Sequence, residues 1–311
     1  MHKENTPKMK PLIRLTTLAA ILCAVLVTQS YAQATPAELG LSSHRVTLST
    51  GIDMHYVERG HGNGHVIIFL HGYTDSWRSF ERNLPLVSDK FHIYALDQRG
   101  HGDSSRPACC YTQGDFSADV AAFMDALNIS KATIVGHSMG SFIAHKFAAD
   151  NPQRVKRLVL IGGSPTMAGN EVVAGLNDYV QTLEDPIDPQ FVRDFQASTY
   201  ANPIPAEFLD TAVSESLKLP ATVWKQTLAG MVLEDHSAEL GRIKAPTLIL
   251  WGDNDGIFSL QDQLALDTLI PNSIFKRYSA AVLPAGSRDG GHGLHVEFPQ
   301  LITSDIEAFA K

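Results

Sequence analysis

Cysteine is scarce in this 311-residue chain: there are three, and two of them, Cys109 and Cys110, are neighbours. No C-x-x-C pair and no Cys/His spacing of the zinc-binding kind occurs, so dithiol redox chemistry and a structural metal lose their usual sequence support. Adjacent cysteines across a trans peptide lie closer together than the ordinary disulfide span, which makes two unbridged loop thiols the expectation. Internal repeats and low-complexity tracts are also missing, which excludes solenoid and disordered architectures. Basic residues are the minority, 25 against 33 acidic, for a net charge of −8. Such a balance gives no footprint for nucleic acid or for an anionic membrane surface.

The longest apolar stretch, 15–27, is shorter than the ~20 residues a spanning helix needs. It follows Lys3, Lys8, Lys10 and Arg14 and precedes Ala32-Gln33-Ala34. A basic leader, an apolar core and a small-residue cleavage site together read as a secretory signal over 1–34, removed after Ala34. Leu22 stands where a lipoprotein site would want a small residue before Cys23, so a soluble secreted or periplasmic chain without a stable membrane anchor is expected. Removal takes away four of the 25 basic residues and one of the 33 acidic ones, leaving −11.

Short runs at 45–48 and 52–58 read as strands of an opening hairpin. Continuous apolar runs at 65–70, 91–96, 132–135, 157–161 and 247–251 read as strands buried on both faces. Helical spacing at 116–127 and 142–149 alternates with them. This pattern implies an α/β fold with a mostly parallel central sheet and helices on both faces. Between Pro165 and Ala245 the alternation stops. Helical patterns at 171–183, 190–200, 207–219 and 222–233 are punctuated by prolines, with no buried-strand run. The expected organisation is a core of 35–165 and 245–311 with a helical cap inserted at 166–244, lying over the strand ends where ligands bind in such sheets.

Gly136-His137-Ser138-Met139-Gly140 matches G-x-S-x-G, directly after one of the buried runs and opening a helix. A sharp strand-to-helix turn there would hold Ser138 strained and exposed, with Gly136 and Gly140 small enough for the strand and helix to approach. A serine hydroxyl needs a base, and the base an orienting carboxylate, in the chain order Ser, acid, His. Asp253 and Asp255 both follow the run at 247–251, and composition does not separate them. His292 lies in a glycine-rich turn before the last helix, with His295 as its nearest rival. The oxyanion needs two backbone N–H donors. Met139, after the nucleophile, and Tyr73, after His71-Gly72, are the candidates.

Taken together, these segments resemble the α/β-hydrolase family, in particular its capped serine esterase and lactonase-like branch, over nearly the whole chain after the signal. His71-Gly72-Tyr73 is similar to the family's oxyanion loop, and 97–104 (DQRGHGDS) to its loop after the next strand. The resemblance implies an acid three residues after Gly252, hence Asp255. It also implies a base opening an H-x-x-x-x-E-x-P pattern, met by His292, Glu297 and Pro299. In the family, haloalkane dehalogenases and epoxide hydrolases carry aspartate at the elbow, whereas this chain carries Ser138. Two departures from the family pattern are the long segment 279–291 before His292 and the pair Cys109-Cys110.

The resulting expectation is a Ser138-His292-Asp255 hydrolase that cleaves a small-molecule carboxylic ester or lactone through an acyl-enzyme, with no cofactor and no metal. A perhydrolase, haloperoxidase-like or C–C bond hydrolase reaction would use the same triad, and a binding protein of the same fold would use none of it. Tyr73, Trp77, Met139, Trp224 and Met231 are the expected pocket lining.

Overall fold

The structure, a computed structural model, describes residues 33–60 and 64–311. The expected signal, 1–34, falls outside these residues apart from Gln33 and Ala34. Among the described residues no helix is long and apolar enough to cross a membrane.

Eight strands form one sheet: β1 (Ser42–Thr47), β2 (Asp53–Arg59), β3 (His65–Leu70), β4 (Phe91–Leu96), β5 (Ala132–His137), β6 (Val155–Ile161), β7 (Thr247–Gly252) and β8 (Ser273–Tyr278). Their order is β1-β2-β4-β3-β5-β6-β7-β8. The first two strands run antiparallel, and all neighbours from β4 to β8 are parallel. The apolar runs are continuous because both faces are covered. Along β3, Ile68 and Leu70 enter one core while Ile67 and Phe69 enter the other. Likewise Leu158 and Leu160 of β6 face opposite to Val159 and Ile161.

The first core is closed by α1 (Gln113–Ala126) and α2 (Met139–Asp150), through Phe116, Phe123, Phe142 and Phe147. Between β6 and β7 come α3 (Glu171–Val180), α4 (Pro189–Ser198), α5 (Ala206–Leu217) and α6 (Ala221–Leu233), at the places the helical spacing indicated. Val180, Val192, Trp224 and Met231 make the inserted helices continuous with the first core. After β7 follow α7 (Leu260–Leu269), the single turn α8 (Leu294–Glu297) and α9 (Pro299–Ala310), whose Ile302 and Ile306 close the second core.

β8 has no buried run in the sequence because it is an edge strand. Of its residues only Tyr278 is fully buried, and Lys276 and Arg277 interrupt the apolar pattern. The expectation of free thiols is overturned, since Cys109 and Cys110 are joined by a disulfide. Cys110 takes φ 77°, in the left-handed region of the backbone.

Candidate active site

The carboxyl ends of β3, β5 and β7 converge on one small cavity. β5 runs straight into α2 through Ser138, which sits at φ 52° and ψ −120°. A non-glycine residue held at positive φ stores strain and survives only where the surroundings over-determine it. Here they do. Ser138 N donates to Ile161 O at 2.9 Å, and Ser141 Oγ, on the first turn of α2, accepts from Ile161 N at 3.1 Å and lies 2.8 Å from Gly136 O. A Cβ on Gly136 would stand 2.1 Å from Gly140 O, and one on Gly140 would stand 2.1 Å from Leu70 O. Both obstacles are backbone, so neither position tolerates a side chain.

Asp255 and His292 meet across the end of β7. His292 Nδ1 lies 2.9 Å from Asp255 Oδ2, and both side chains are all but fully buried. Asp255 Oδ1 accepts from the amides of Ile257 and Phe258 at 2.8 and 3.1 Å, so the carboxylate is fully employed and oriented. With Asp255 on Nδ1, the proton of neutral His292 is held there, leaving Nε2 as the basic nitrogen. Nε2 is buried and has no hydrogen-bond partner among the described residues, Ser138 Oγ included. It shares the cavity with Ser138.

The rivals are accounted for. Asp253 pairs with Arg277 on the edge strand, away from the cavity. His295 is fully buried, 3.1 Å from Ser79 Oγ, with its ring packed at a tilt against Phe80 and His137. Burial pushes its pKa down to about 3, opposed by its bond to Ser79. It is a packed, neutral side chain. Glu297 takes a role the spacing alone did not reveal. It accepts from Gly291 N at 3.0 Å, from Ala201 N at 2.6 Å and from Asn202 Nδ2 at 2.9 Å, tying the turn that carries His292 to the chain between α4 and α5.

The amides of Tyr73 and Met139 donate no hydrogen bond among the described residues. The loop bearing Tyr73 is held from behind. His71 donates through Nδ1 to Gly72 O at 2.8 Å and accepts Gln98 N on Nε2 at 3.1 Å. Burial keeps that imidazole neutral, with its pKa down to about 4. Tyr73 donates its phenol to Trp224 O at 2.8 Å and packs edge-on to Phe195 and Trp224.

The cavity is lined by Gly72, Tyr73, Asp75, His137, Ser138 and His292 from the sheet side, with Ile257 beside Asp255. Phe195, Gln196, Thr199 and Tyr200, from α4 and the residues after it, close the other side. Its volume is about 30 Å³, room for a water or two. Of the five expected lining residues only Tyr73 is there. Trp77, Met139, Trp224 and Met231 are core side chains, each 3% exposed or less. Asp75 was not anticipated. Burial raises its carboxyl to about pKa 7, against the lowering effect of bonds from Gln196 and Ser79 and of nearby His292. The signal available was its place two residues beyond Tyr73 in the same loop.

A larger surface cleft of about 1120 Å³ lies elsewhere, lined by Arg45, His55, Asp103, Arg106 and Lys218 among others. Its charges are largely paired, Arg45 with Asp53 and Lys218 with Asp103. His55, Asp97 and Asp103 present ligand-type atoms within 4.8 Å of one another. His55 Nδ1 and Asp97 Oδ2 already bond each other at 2.7 Å, and Asp97 also accepts the amides of Trp77 and Asp103, so these groups serve to hold the loops behind the site.

A mostly parallel sheet with a strained serine between strand and helix, facing a carboxylate-oriented histidine, defines the class. The chain belongs to the alpha/beta hydrolase fold family, whose model matches residues 65–282. It is 30% identical over 235 residues to 2-hydroxy-6-oxononadienedioate/2-hydroxy-6-oxononatrienedioate hydrolase 2 of Pseudomonas putida, covering 71% of this chain and 82% of that one. It is 27% identical over 285 residues to epoxide hydrolase 3 of Mus musculus, covering 84% and 74%. An esterase from Exiguobacterium antarcticum has the same fold, with a TM-score of 0.76 at 20% identity over 86% of this chain and 99% of that one.

Proposed function

We propose that the chain is an exported serine hydrolase that cleaves a carboxylic ester or a lactone by way of an acyl-enzyme. The observation that carries this reading is the buried Asp255–His292 pair, 2.9 Å apart, which leaves His292 Nε2 unpartnered among the described residues in a side chain lining the same cavity as the strained Ser138. Asp255 orients the imidazole and stabilises it once charged. His292 takes the Ser138 proton as the hydroxyl attacks the carbonyl, then returns it to the leaving alcohol, and a water repeats the sequence to release the acid. The unengaged amides of Tyr73 and Met139 bind the oxyanion, the term that usually contributes most. Residues 166–244 act as a cap whose α4 closes the site.

Serine at 138 supports acyl chemistry over the epoxide opening named for the mouse relative. The Pseudomonas putida relative is named for hydrolysis of a dienedioate, a dicarboxylate, and a C–C hydrolase would use the same triad. Against that substrate here stands a lining with no Lys or Arg and with a carboxyl of its own, Asp75. Two carboxylates brought beside it would be desolvated without a counter-charge, which is costly.

The test is turnover of p-nitrophenyl esters of increasing acyl length by the chain lacking residues 1–34, beside Ser138→Ala, with fluorophosphonate labelling of Ser138. Turnover and labelling that vanish together in Ser138→Ala support the reading. Undiminished turnover in the variant overturns it. Export is checked by the N-terminus of the protein recovered from outside the cytoplasm, expected at Thr35 after cleavage behind Ala34.

A further inference from the structure

The cavity that holds Ser138 and His292 measures about 30 Å³ and has no room for the two substituents of an ester, which must lie outside it. Next to it, across one side chain, is a cleft of about 350 Å³ between the start of α3 and the loop that follows β7. That volume is within the range of sites that take a small organic molecule. Ile257 lines both spaces. Its backbone is clamped from two directions: the amide donates to Asp255 Oδ1 at 2.8 Å, and the carbonyl accepts from Asn170 Nδ2 at 2.8 Å. What stands between cavity and cleft is therefore the Ile257 side chain, on a main chain held at both of its polar atoms.

The lining tells what kind of group fits. Ala168, Val172 and Ile257 give the cleft an apolar wall, and Val172, on the first turn of α3, is left 53% exposed. The polar neighbours are committed to local bonds. Thr166 Oγ1 accepts from Ala168 N and Asn170 Oδ1 from Val173 N, both at 3.0 Å, and Ser259 Oγ donates to Asp262 Oδ2 at 2.8 Å. The charged lining residues are Glu171 and Asp262, so an anionic group would find no counter-charge. Direction follows from the chemistry. A leaving alcohol takes its proton from His292 Nε2 and so departs on the side of His292. Ile257 lies on that side: it follows Asp255 by two residues, and Phe258, the next residue, packs its ring 5.7 Å from that of His292.

We infer that this cleft receives the alcohol side of the ester or lactone, an uncharged hydrocarbon group larger than ethyl, and that Ile257 is the specificity-determining residue at its threshold. The inference rests on the acyl-transfer reading above and adds the substrate class to it. The acyl part is then left to the wall of Phe195 and Tyr200.

The experiment measures kcat/KM by pH-stat for ethyl and hexyl butyrate, which vary the alcohol, and for ethyl octanoate, which varies the acyl part. It uses the chain lacking residues 1–34, Ile257→Ala and Val172→Trp. The first variant removes the partition, and the second fills the cleft from the wall of α3, outside the triad and its turns. Ile257→Ala is expected to raise the hexyl-to-ethyl butyrate ratio by about tenfold and Val172→Trp to lower it by about as much. The ratio of ethyl octanoate to ethyl butyrate is expected to stay within about twofold of wild type in both. An alcohol ratio that is unchanged within about twofold, or moves the other way, in either folded variant overturns the inference. With Ser138 still labelled by fluorophosphonate, it leaves the acyl-transfer reading standing. An acyl ratio that moves as far as the alcohol ratio also overturns it. If Ile257→Ala does not fold, Val172→Trp decides alone. No turnover of any ester and no labelling of Ser138 overturn both.

Discussion

The two walls of the cavity are built differently. On the sheet side, Ser138 and Asp255 sit on short turns at strand ends, fixed by backbone hydrogen bonds and by backbone obstacles that exclude other conformations, while His292, at the end of a longer segment, is held by Asp255 and by the Glu297 bond to Gly291 N. On the opposite side, Phe195, Gln196, Thr199 and Tyr200 come from one helix of ten residues and the short segment after it. That segment is tied to the rest by side-chain bonds such as those of Gln196 and Glu297. The difference teaches where tolerance lies. On the proposed reading, chemistry depends on positions that backbone geometry constrains, and selectivity on side chains that can be exchanged without unmaking the sheet.

The sharpest way to break this comparison is at the acid. Asp255→Asn is expected to lower kcat by about 10⁴-fold, because the amide stabilises the wrong imidazole tautomer. Asp253→Asn, two residues away but facing Arg277, should stay within a few-fold of wild type in the same ester assay. Equal losses would show that the sheet side is less exact than its geometry. Next comes Gly140→Ala, which sets a methyl against the Leu70 carbonyl. A loss of more than about 3 kcal/mol in urea unfolding is expected, since overpacking against backbone cannot be relieved by a rotamer change.

Acid exposure probes the buried histidines. His71, His101, His236 and His295 are held neutral by burial, with pKa values pushed down to about 4, 3, 4 and 3, and His137 and His145 are pushed well below the usual value for the same reason. The unfolded chain binds protons at these residues below its ordinary pKa of about 6.5 while the folded chain does not, so stability falls as pH drops from 6.5 toward 4. Asp75 acts in the opposite sense. Folded, it stays protonated up to about pH 7, so it removes stability as pH rises from its ordinary 3.8. Burial also raises Glu81 and Glu215, which act in the same sense, but these three carboxyls are outweighed by six imidazoles, and the urea midpoint is expected to rise between pH 4 and 6.5. The smallest effect is expected on the inserted side. Phe195→Ala should alter the acyl-length preference by about tenfold or less, the range a change in hydrophobic pocket volume commands. The labelling rate of Ser138 should change little.

Much of the site was legible because its parts are local. The run at 247–251, followed by Gly252 and two aspartates, places a carboxylate at a strand end, and the five residues from Gly136 to Gly140 specify a turn that few other sequences can make. The choice of Asp255 over Asp253 came from resemblance to a family; in the structure the turn after Gly252 points the first aspartate toward Arg277 on the edge strand and the second toward His292. Less legible was β8, whose charged residues face solvent at the sheet edge. The Cys109–Cys110 bridge was not legible either, because neighbouring cysteines lie closer together than the usual disulfide span.

By itself the sequence determined the periodicities, and with them the strands, the helices and their alternation, because apolar spacing reports which face of an element is buried. It also determined the elbow, whose glycines and serine carry their conformational meaning locally. What only the tertiary structure decided is which side chains surround the cavity. Trp77, Met139, Trp224 and Met231 are as apolar as any pocket residue, yet they pack inward, while Asp75, Gln196 and Tyr200 reach the site from segments more than a hundred residues apart. Lining is a property of how two layers meet, and no spacing within one segment encodes it.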